Sequence, residues 1–187
     1  MKKNEISIKI TLVGADLTGK TILLRYLSND RLNKAEYEIY KPTNGTSYMF
    51  KKYIYNNQRY TLVLWDTSGI LKYRSYSKYF ARDSKVVLFF YDALNIESFE
   101  VVKELLTIAQ ENRLNEQIYI LVSNKYQLSL KNRKGKGKII SDEKALEYAE
   151  ENGLLFCHLS IFDKYENGIN ELMIKILKKY NEIFIKK

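Results

Sequence analysis

The stretch EISIKITLVGADLTGKTILLRYLSND, residues 5–30, decides the fold. Its first part alternates apolar and polar residues and then becomes a continuous apolar run, which predicts a strand that enters a buried sheet. Glycine-containing turn residues follow, and KTILLRYL, residues 20–27, then carries apolar residues at helical spacing. The stretch therefore predicts a strand, a glycine-bearing loop and a helix in direct succession.

The rest of the chain continues this alternation. Two β-rich runs, residues 46–57 and 58–66, are joined across Asn-Asn-Gln and predict a hairpin. Later apolar runs predict three more strands, and the segments between them predict helices, with caps at Asn95 and Ser141 and a stop at Gly153. The order β-α-β-β-α-β-α-β-α-β-α predicts an α/β fold with a six-stranded, mainly parallel sheet, one antiparallel edge strand and helices on both faces.

The composition is ordinary for a globular protein. Hydrophobic residues make up 45% of the chain and no linker or repeat interrupts it, so we expect one domain over residues 1–187. No apolar run approaches the roughly 20 residues that cross a bilayer, and neither a signal peptide nor a direct lipid anchor is indicated. The single cysteine, Cys157, lies in an apolar run, which predicts a buried thiol in a cytoplasmic protein. His158, the single histidine, has no companions for a metal site and is interpreted as structural.

A net charge of +9 would suit a nucleic-acid or anionic membrane partner. The densest basic run, LKNRKGKGK at residues 130–138, alternates lysine with glycine and has no interleaved aromatic residue. Runs of this kind are usually solvated loops, and a nucleic-acid interface there is the weaker interpretation. We expect no specific nucleic-acid partner.

The residues after the first predicted strand indicate a phosphate site, because ligands of parallel α/β sheets bind beyond the carboxyl ends of the strands. GADLTGKT, residues 14–21, has the spacing of a phosphate-binding loop, in which backbone N–H groups and a helix N-terminus surround phosphate oxygens. Lys20 would reach the β- and γ-phosphates, and the Thr21 hydroxyl would bind Mg²⁺. The candidate binding residues are Gly14, Asp16, Leu17, Thr18, Gly19, Lys20, Thr21 and Ile22.

A second part of this site follows the third predicted strand, at WDTSG, residues 65–69. Asp66 ends that strand, where a carboxylate can hold Mg²⁺ directly or through water. Gly69 has no side chain and can therefore approach a γ-phosphate closely and donate its N–H. The spacing of Asp66 and Gly69 is a weak motif by itself, but it becomes a stronger indication of a nucleotide site when a phosphate-binding loop precedes it in the chain.

With these motifs in place, the chain resembles the Ras-like small GTPases, and most closely their Rab branch. WDTSGILKYRSYSKYFARDSKVVLFFYDALNIESF, residues 65–99, resembles the Rab stretch WDTAGQERFRS…YYRGA…VYD…ESF. KPTNG at residues 41–45 resembles the first switch, SNKYQL at 123–128 the guanine-reading NKxDL, and CHLSIFD at 157–163 the family's ETSAK. The resemblance spans nearly the whole chain in the family's order.

The resemblance implies a P-loop NTPase small G domain that binds GTP or GDP with Mg²⁺ and switches in membrane traffic. A γ-phosphate would draw in Thr43 and the Gly69 N–H, ordering two loops that relax after hydrolysis. The implied catalytic residues are Lys20, Thr43 and Gly69, and the implied metal ligands are Thr21, Thr43 and Asp66. Around the base the family pattern places Asn124, Lys125, Gln127, Ser160 and Ile161, with Tyr37, or as the weaker alternative Tyr40, near the base or phosphates.

The resemblance also implies protein partners. Tyr48, Trp65 and Phe80 fall where Rab proteins keep an aromatic triad that contacts effectors, although by position Trp65 and Phe80 could equally be core residues. Effectors, exchange factors and GTPase-activating proteins would bind through these residues and the two switch loops. We expect a cytoplasmic monomer that reaches endomembranes peripherally through its partners.

Four departures from the family pattern bear on the chemistry. Ile70 replaces the glutamine that orients the attacking water, so hydrolysis is expected to be very slow. Asp16 stands where most relatives have glycine or serine, and its carboxylate would repel phosphates mildly and crowd an arginine from a partner. Gln127 replaces the aspartate that accepts two hydrogen bonds from guanine, at an expected cost of about 2–3 kcal/mol and of guanine selectivity. In SIF, residues 160–162, Ile161 keeps only the backbone N–H of the family's alanine.

Alternatives to a slow GTPase switch stay open. A pseudo-GTPase that serves as an interaction module without cycling is favoured by Ile70 and Gln127 and opposed by Thr43, Asp66 and the intact phosphate loop. A phosphate-loop nucleotide kinase would need an arginine-bearing lid, whereas GKGKII at residues 135–140 supplies only lysines.

Overall fold

The computed structural model describes residues 4–29, 43–124, 140–160 and 167–185, and its centre is one six-stranded sheet. The strands are β1 Ile6–Gly14, β2 Thr46–Tyr55, β3 Gln58–Thr67, β4 Val86–Asp92, β5 Ile118–Asn124 and β6 Leu155–Leu159. The α-helices in these ranges are α1 Lys20–Leu27, α2 Ser77–Ala81, α3 Ile96–Asn112, α4 Asp142–Glu151 and α5 Asn167–Tyr180. A 3₁₀ turn, Leu71–Tyr76, precedes α2, and a π-helical turn, Asn181–Ile185, follows α5.

The strand order is β2-β3-β1-β4-β5-β6, with β1 at the centre between β3 and β4. All pairings are parallel except that of β2 with β3, which is antiparallel. The predicted α/β fold, mainly parallel with one antiparallel edge strand, is therefore confirmed. Because the parallel strands share one direction, the residues that end them, Gly14, Thr67, Asp92, Asn124 and Leu159, gather along one edge of the sheet.

Helices cover both faces of the sheet, as predicted. On one face Ile10 and Leu12 of β1 share a buried cluster with residues of α1 and α5. On the other face Phe89 of β4 and Leu121 of β5 share a second cluster with residues of α3 and α4. Every residue of β4 and β5 is buried, which explains why these strands have continuous apolar runs rather than alternating ones.

The predicted helix ends are confirmed. The Asn95 side chain accepts a hydrogen bond from the backbone N–H of Glu97 at 3.1 Å, and Ser141 accepts one from Lys144 at 3.4 Å. Gly153 follows α4 with φ +70°, the left-handed conformation that favours glycine beyond a helix end. In the ranges described above, no helix combines the length and apolar character that a membrane crossing requires.

The β2–β3 hairpin is tighter than predicted. It turns on Asn56 and Asn57 alone, with φ values of 49° and 58°, and Tyr55 pairs with Gln58. Two successive left-handed residues are typical of a type I′ turn, whose twist matches that of the strands and which asparagine tolerates. The predicted connection Asn-Asn-Gln is wrong by one residue, since Gln58 already belongs to β3.

Strand β6 contains Cys157 and His158, the two residues that the sequence analysis interprets as structural. Cys157 is buried with a free thiol, and burial raises its pKa to about 11, so the thiol is protonated and unreactive at neutral pH. This confirms the predicted buried thiol. His158 lies 3.7 Å, Nδ1 to Oδ1, from Asp142 and so contacts the start of α4.

Candidate phosphate and magnesium site

The loop between β1 and α1 curls tightly because of where its glycines stand. Gly14 has φ +146°, and a Cβ atom there would lie 2.2 Å from the carbonyl oxygen of Phe90 in β4. Leu17 and Gly19, with φ values of 58° and 101°, are also in the left-handed region before α1 begins. Turns of this kind gather successive backbone N–H groups into a concavity that binds anions.

Two side chains close the loop on itself. The Lys20 ammonium, only 5% exposed, donates to the carbonyl oxygens of Gly14 at 3.0 Å and Ala15 at 2.6 Å. The Thr18 hydroxyl donates to the same Ala15 carbonyl at 2.9 Å. The ammonium therefore lies at the loop, where a cation can pair with the β- and γ-phosphates of a nucleotide. By contrast, Asp16 and Leu17 at the tip of the loop are exposed.

The three predicted metal ligands meet beside this loop. Thr21 Oγ1 donates to Asp66 Oδ2 at 2.5 Å and lies 2.7 Å from Thr43 Oγ1. An octahedral Mg²⁺ with bonds of 2.0–2.1 Å holds neighbouring oxygens about 3 Å apart. The oxygens from α1, from the segment before β2 and from β3 therefore already lie close to the spacing of Mg²⁺ ligands.

Asp66 is the charged member of this set and is fully buried. Burial raises the pKa of its carboxyl group, against which the Thr21 hydrogen bond and the Lys20 charge act. Its Oδ1 atom has no hydrogen-bond partner among the described residues. A cation would satisfy that oxygen, so the residues present fit a bound Mg²⁺.

The donor set is consistent with Mg²⁺ held together with phosphates. Within the described ranges there is no group of three or more histidine, cysteine, aspartate or glutamate side chains that could hold a metal alone. The site offers one carboxylate and two hydroxyls, and Mg²⁺ commonly completes such a set with substrate phosphates and water. A nucleotide and a metal would therefore bind together here.

The turn after β3 packs directly against the phosphate loop at Gly69. A Cβ atom on Gly69 would lie 2.2 Å from the Asp16 nitrogen and 2.3 Å from the Ala15 carbonyl carbon, so only glycine fits. The next residue, Ile70, is apolar and half-buried, and it directly follows the glycine that contacts the loop. The structure thus places Gly69 beside the predicted phosphate site.

Ser68 is a residue of this site that the sequence analysis missed. Its hydroxyl donates to the backbone carbonyl of Thr43 at 2.8 Å, so it joins the turn after β3 to the segment before β2. The signal was present in WDTSG, where the Rab pattern has alanine in place of this serine. A hydroxyl in place of a methyl group at a buried position needs a hydrogen-bond partner.

The base side of the site is described only in part. Asn124 ends β5, is fully buried, and donates from Nδ2 to the carbonyl of Thr18 at 3.0 Å, so it is tied to the phosphate loop. Its Oδ1 has no partner among the residues that the structure describes. Ser160 directly follows β6, three strands away from β1. The predicted residues Tyr37, Tyr40, Lys125, Gln127 and Ile161, like the basic run 130–138, lie outside the described residues.

The predicted aromatic triad forms a contiguous row, with Tyr48 on β2, Trp65 on β3 and Phe80 on α2. The ring centroids of Tyr48 and Trp65 are 5.1 Å apart, and those of Trp65 and Phe80 are 5.7 Å apart. Tyr48 is 57% exposed, whereas Trp65 and Phe80 are half-buried, so neither belongs fully to the core. Phe50, 60% exposed, extends the row along β2 with its centroid 5.6 Å from that of Tyr48.

The sheet, the phosphate loop and the Thr21–Asp66 pair define a phosphate-loop protein of the small G-domain class. Comparison with known proteins agrees, since residues 9–182 match the model of the Ras family. The chain is 30% identical over 177 residues to Ras-related protein Rab-21 of Mus musculus, covering 94% of this chain and 74% of the relative. It is 27% identical to Ras-related protein Rab-5A of Dictyostelium discoideum, with 91% and 79% covered, and 25% identical to human Ras-related protein Rab-30, with 94% and 81% covered. The chain belongs to the Ras family and is Rab-like within it.

Proposed function

We propose that this protein is a Rab-like switch that binds GTP or GDP with Mg²⁺ and hydrolyses GTP very slowly. The observation that carries the proposal is the convergence of Thr21, Thr43 and Asp66 beside a closed phosphate loop. These oxygens come from α1, from the segment before β2 and from the end of β3. Thr43 is the one that a switch segment supplies, so the site is complete only when that segment is in place, as a nucleotide sensor requires.

The switching role follows from how the chain's own residues are connected. Lys20 would pair with the phosphates, and bound Mg²⁺ would neutralise part of their charge. Thr43 reaches Thr21 only when the segment before β2 lies against α1. Gly69 reaches the phosphate loop only when the turn after β3 is drawn in. Release of either contact would free a loop for a different partner.

Slow hydrolysis is proposed because of Ile70 and Asp16. The Ile70 side chain has neither a donor nor an acceptor, so it cannot orient an attacking water. Asp16 adds an exposed carboxylate at the phosphate loop, where it would mildly repel phosphate and crowd an arginine from a partner. Positioning and charge neutralisation by Lys20 and the metal ligands remain, and they would sustain a low rate.

Weak guanine selectivity is proposed because Gln127 offers a neutral amide where the family has a carboxylate. The Asn124 bond to Thr18 keeps the start of this segment attached to the phosphate loop. Phosphate contacts would therefore dominate the affinity, and the base would contribute less than in typical relatives.

Partner binding is proposed at the switch segments and the row formed by Tyr48, Trp65 and Phe80. A partly exposed aromatic row of this kind offers a partner large contact area at low entropic cost. Effectors, exchange factors and GTPase-activating proteins are the proposed partners, and membrane traffic, with peripheral attachment to endomembranes, is the proposed setting. We propose a monomer formed of one domain.

A second candidate is a pseudo-GTPase module that does not cycle, which the apolar Ile70 favours. Nucleotide content separates the two candidates. The purified protein is denatured, released nucleotide is identified by ion-pair chromatography, and the purification is repeated with EDTA. We expect GTP or GDP that is lost with EDTA; protein of full thermal stability with no nucleotide in either preparation would favour the module.

A further inference from the structure

Ser68 lies between the two predicted switch segments and is 6% exposed. Its hydroxyl donates to the Thr43 carbonyl at 2.8 Å and accepts a longer hydrogen bond, 3.4 Å, from the backbone N–H of Ile70. One side chain therefore contacts the segment before β2 and the turn after β3 at the same time. The bond to Thr43 spans 25 positions in the chain.

Thr43 is held at two points. Its carbonyl accepts from Ser68, and its Oγ1 lies 2.7 Å from the Oγ1 of Thr21. Because Thr21 donates its one hydroxyl proton to Asp66, Thr43 is the donor to Thr21. Fixing both the backbone and the side chain of Thr43 fixes the direction of its hydroxyl toward the metal ligands.

We propose that Ser68 is a positioning residue that holds Thr43 closed and couples the two switch segments. This inference rests on the proposed nucleotide switch. The Rab pattern has alanine at this position, which has no hydroxyl and cannot form either bond. The closed arrangement is therefore stabilised in this chain by a contact that the family pattern lacks.

The same hydroxyl links the closure of one segment to the closure of the other. Ile70 follows Gly69, whose backbone lies against Asp16 of the phosphate loop. When the segment before β2 moves, the Ser68 hydroxyl loses the Thr43 carbonyl, so the turn after β3, to which Ser68 and Ile70 belong, loses a contact that holds it in place. Such coupling is reciprocal, so whatever favours one closed segment favours the other equally.

The test is Ser68→Ala in the full chain, with affinities for a non-hydrolysable GTP analogue and for GDP measured by calorimetry in Mg²⁺. A typical net hydrogen bond corresponds to a roughly two- to tenfold effect. We expect the analogue to bind more weakly by that factor and GDP to bind unchanged, because the diphosphate does not need Thr43 in place.

Thr67→Val is the matched control. Thr67 is the preceding residue, is 3% exposed, and donates its hydroxyl to the Leu12 carbonyl of β1 at 2.7 Å. Thr67→Val removes the same kind of hydrogen bond, but this bond joins two strands of the sheet and does not involve a switch segment. We expect a lower thermal midpoint and an unchanged ratio of the two affinities.

A double-mutant cycle with Thr43→Val tests whether Ser68 acts through Thr43. In the Thr43→Val background, Ser68→Ala should no longer change the ratio of analogue to GDP affinity. An equal loss of both affinities in Ser68→Ala, or full additivity in the cycle, would overturn the inference. If the unmutated protein binds neither nucleotide, both the proposed function and the role of Ser68 are wrong. If it binds both nucleotides and Ser68→Ala leaves the ratio of analogue to GDP affinity unchanged, only the role of Ser68 is wrong.

Discussion

The phosphate end and the base end of this site lie along one edge of the same sheet, yet their bonding differs. At the phosphate end Lys20, Thr21 and Ser68 connect the loop after β1, the segment before β2 and the end of β3. At the base end the described tie to the phosphate loop is the bond from Asn124 to Thr18. This chain departs from the family pattern in both parts, at Asp16 and Ile70 beside the phosphate loop and at Gln127 and the SIF segment among the residues that the family pattern assigns to the base.

This difference suggests that binding, selectivity and catalysis are separable in one G domain. Lys20, Thr21, Thr43 and Asp66, which would hold phosphate and Mg²⁺, match the family's residue types, and the last three lie in contact here. By contrast, Ile70 replaces the glutamine that the family pattern uses to orient water. A chain of this kind can retain nucleotide while losing much of its turnover. The four predictions below test that division.

Removing the cation of the phosphate end should have the largest effect. Lys20→Met deletes a buried charge that would pair with phosphate, which typically costs about 2–5 kcal/mol, or roughly 30-fold to several-thousandfold in affinity. Calorimetry with GTP and GDP measures this loss. Lys103→Met, on the exposed face of α3 beside Glu100, is the control and should bind as the unmutated protein does. Equal affinities for the two variants would contradict the phosphate role of Lys20.

Restoring the missing catalytic group should raise turnover without changing affinity. Ile70→Gln supplies an amide that can orient water, and we expect single-turnover GTP hydrolysis to rise by about a hundredfold, the order that one positioned group contributes. Ile70→Leu, which keeps an apolar side chain, should leave the rate low. A rate equal in all three proteins would show that turnover is limited elsewhere, with Asp16 the next residue to change.

Restoring the carboxylate of the base end should sharpen selectivity. Gln127→Asp replaces a neutral acceptor by a charged one, so the preference for GTP over ATP in competition binding should rise by roughly 30-fold. Gln127→Glu carries the same charge on a longer side chain and should give a much smaller gain. If both variants leave the preference unchanged, residue 127 does not read the base in this chain.

Removing the hydrogen bond from Asn124 to Thr18, which connects the two ends of the site, should have the smallest effect on nucleotide binding. Asn124→Ala leaves the buried Thr18 carbonyl without this donor, at a cost of about 1–3 kcal/mol in the free energy of unfolding. We expect GTP affinity to fall less than tenfold in the same variant. Asn112→Ala, which loses an exposed bond within α3, is the control for urea denaturation. A larger binding loss than that of Lys20→Met would reverse the proposed division.

Local patterns account for the parts of this molecule that the sequence predicts well. The alternation of strands and helices, the caps at Asn95 and Ser141 and the spacing of residues 14–21 are set by near neighbours in the chain. Parallel pairing then follows from the crossover helices, which bring the strand ends to one edge. The convergence of Thr21 with Asp66 was predictable for the same reason.

Contacts between residues far apart in the chain could not be predicted from the sequence. The bond from Ser68 to Thr43 depends on how two loops meet, and that from Asn124 to Thr18 spans 106 positions. The exposure of Trp65 depends on the hairpin register, which sets Tyr48 opposite it on the same face. None of these relations has a spacing that a pattern along the chain could reveal.

The most direct measurement is calorimetric titration of nucleotide-free protein with a non-hydrolysable GTP analogue, with and without Mg²⁺. If Thr21, Thr43 and Asp66 hold the metal, binding is saturable, is strengthened by Mg²⁺, and loses that strengthening in Thr21→Val. No saturable binding, or binding with the same affinity whether or not Mg²⁺ is present, would contradict the account.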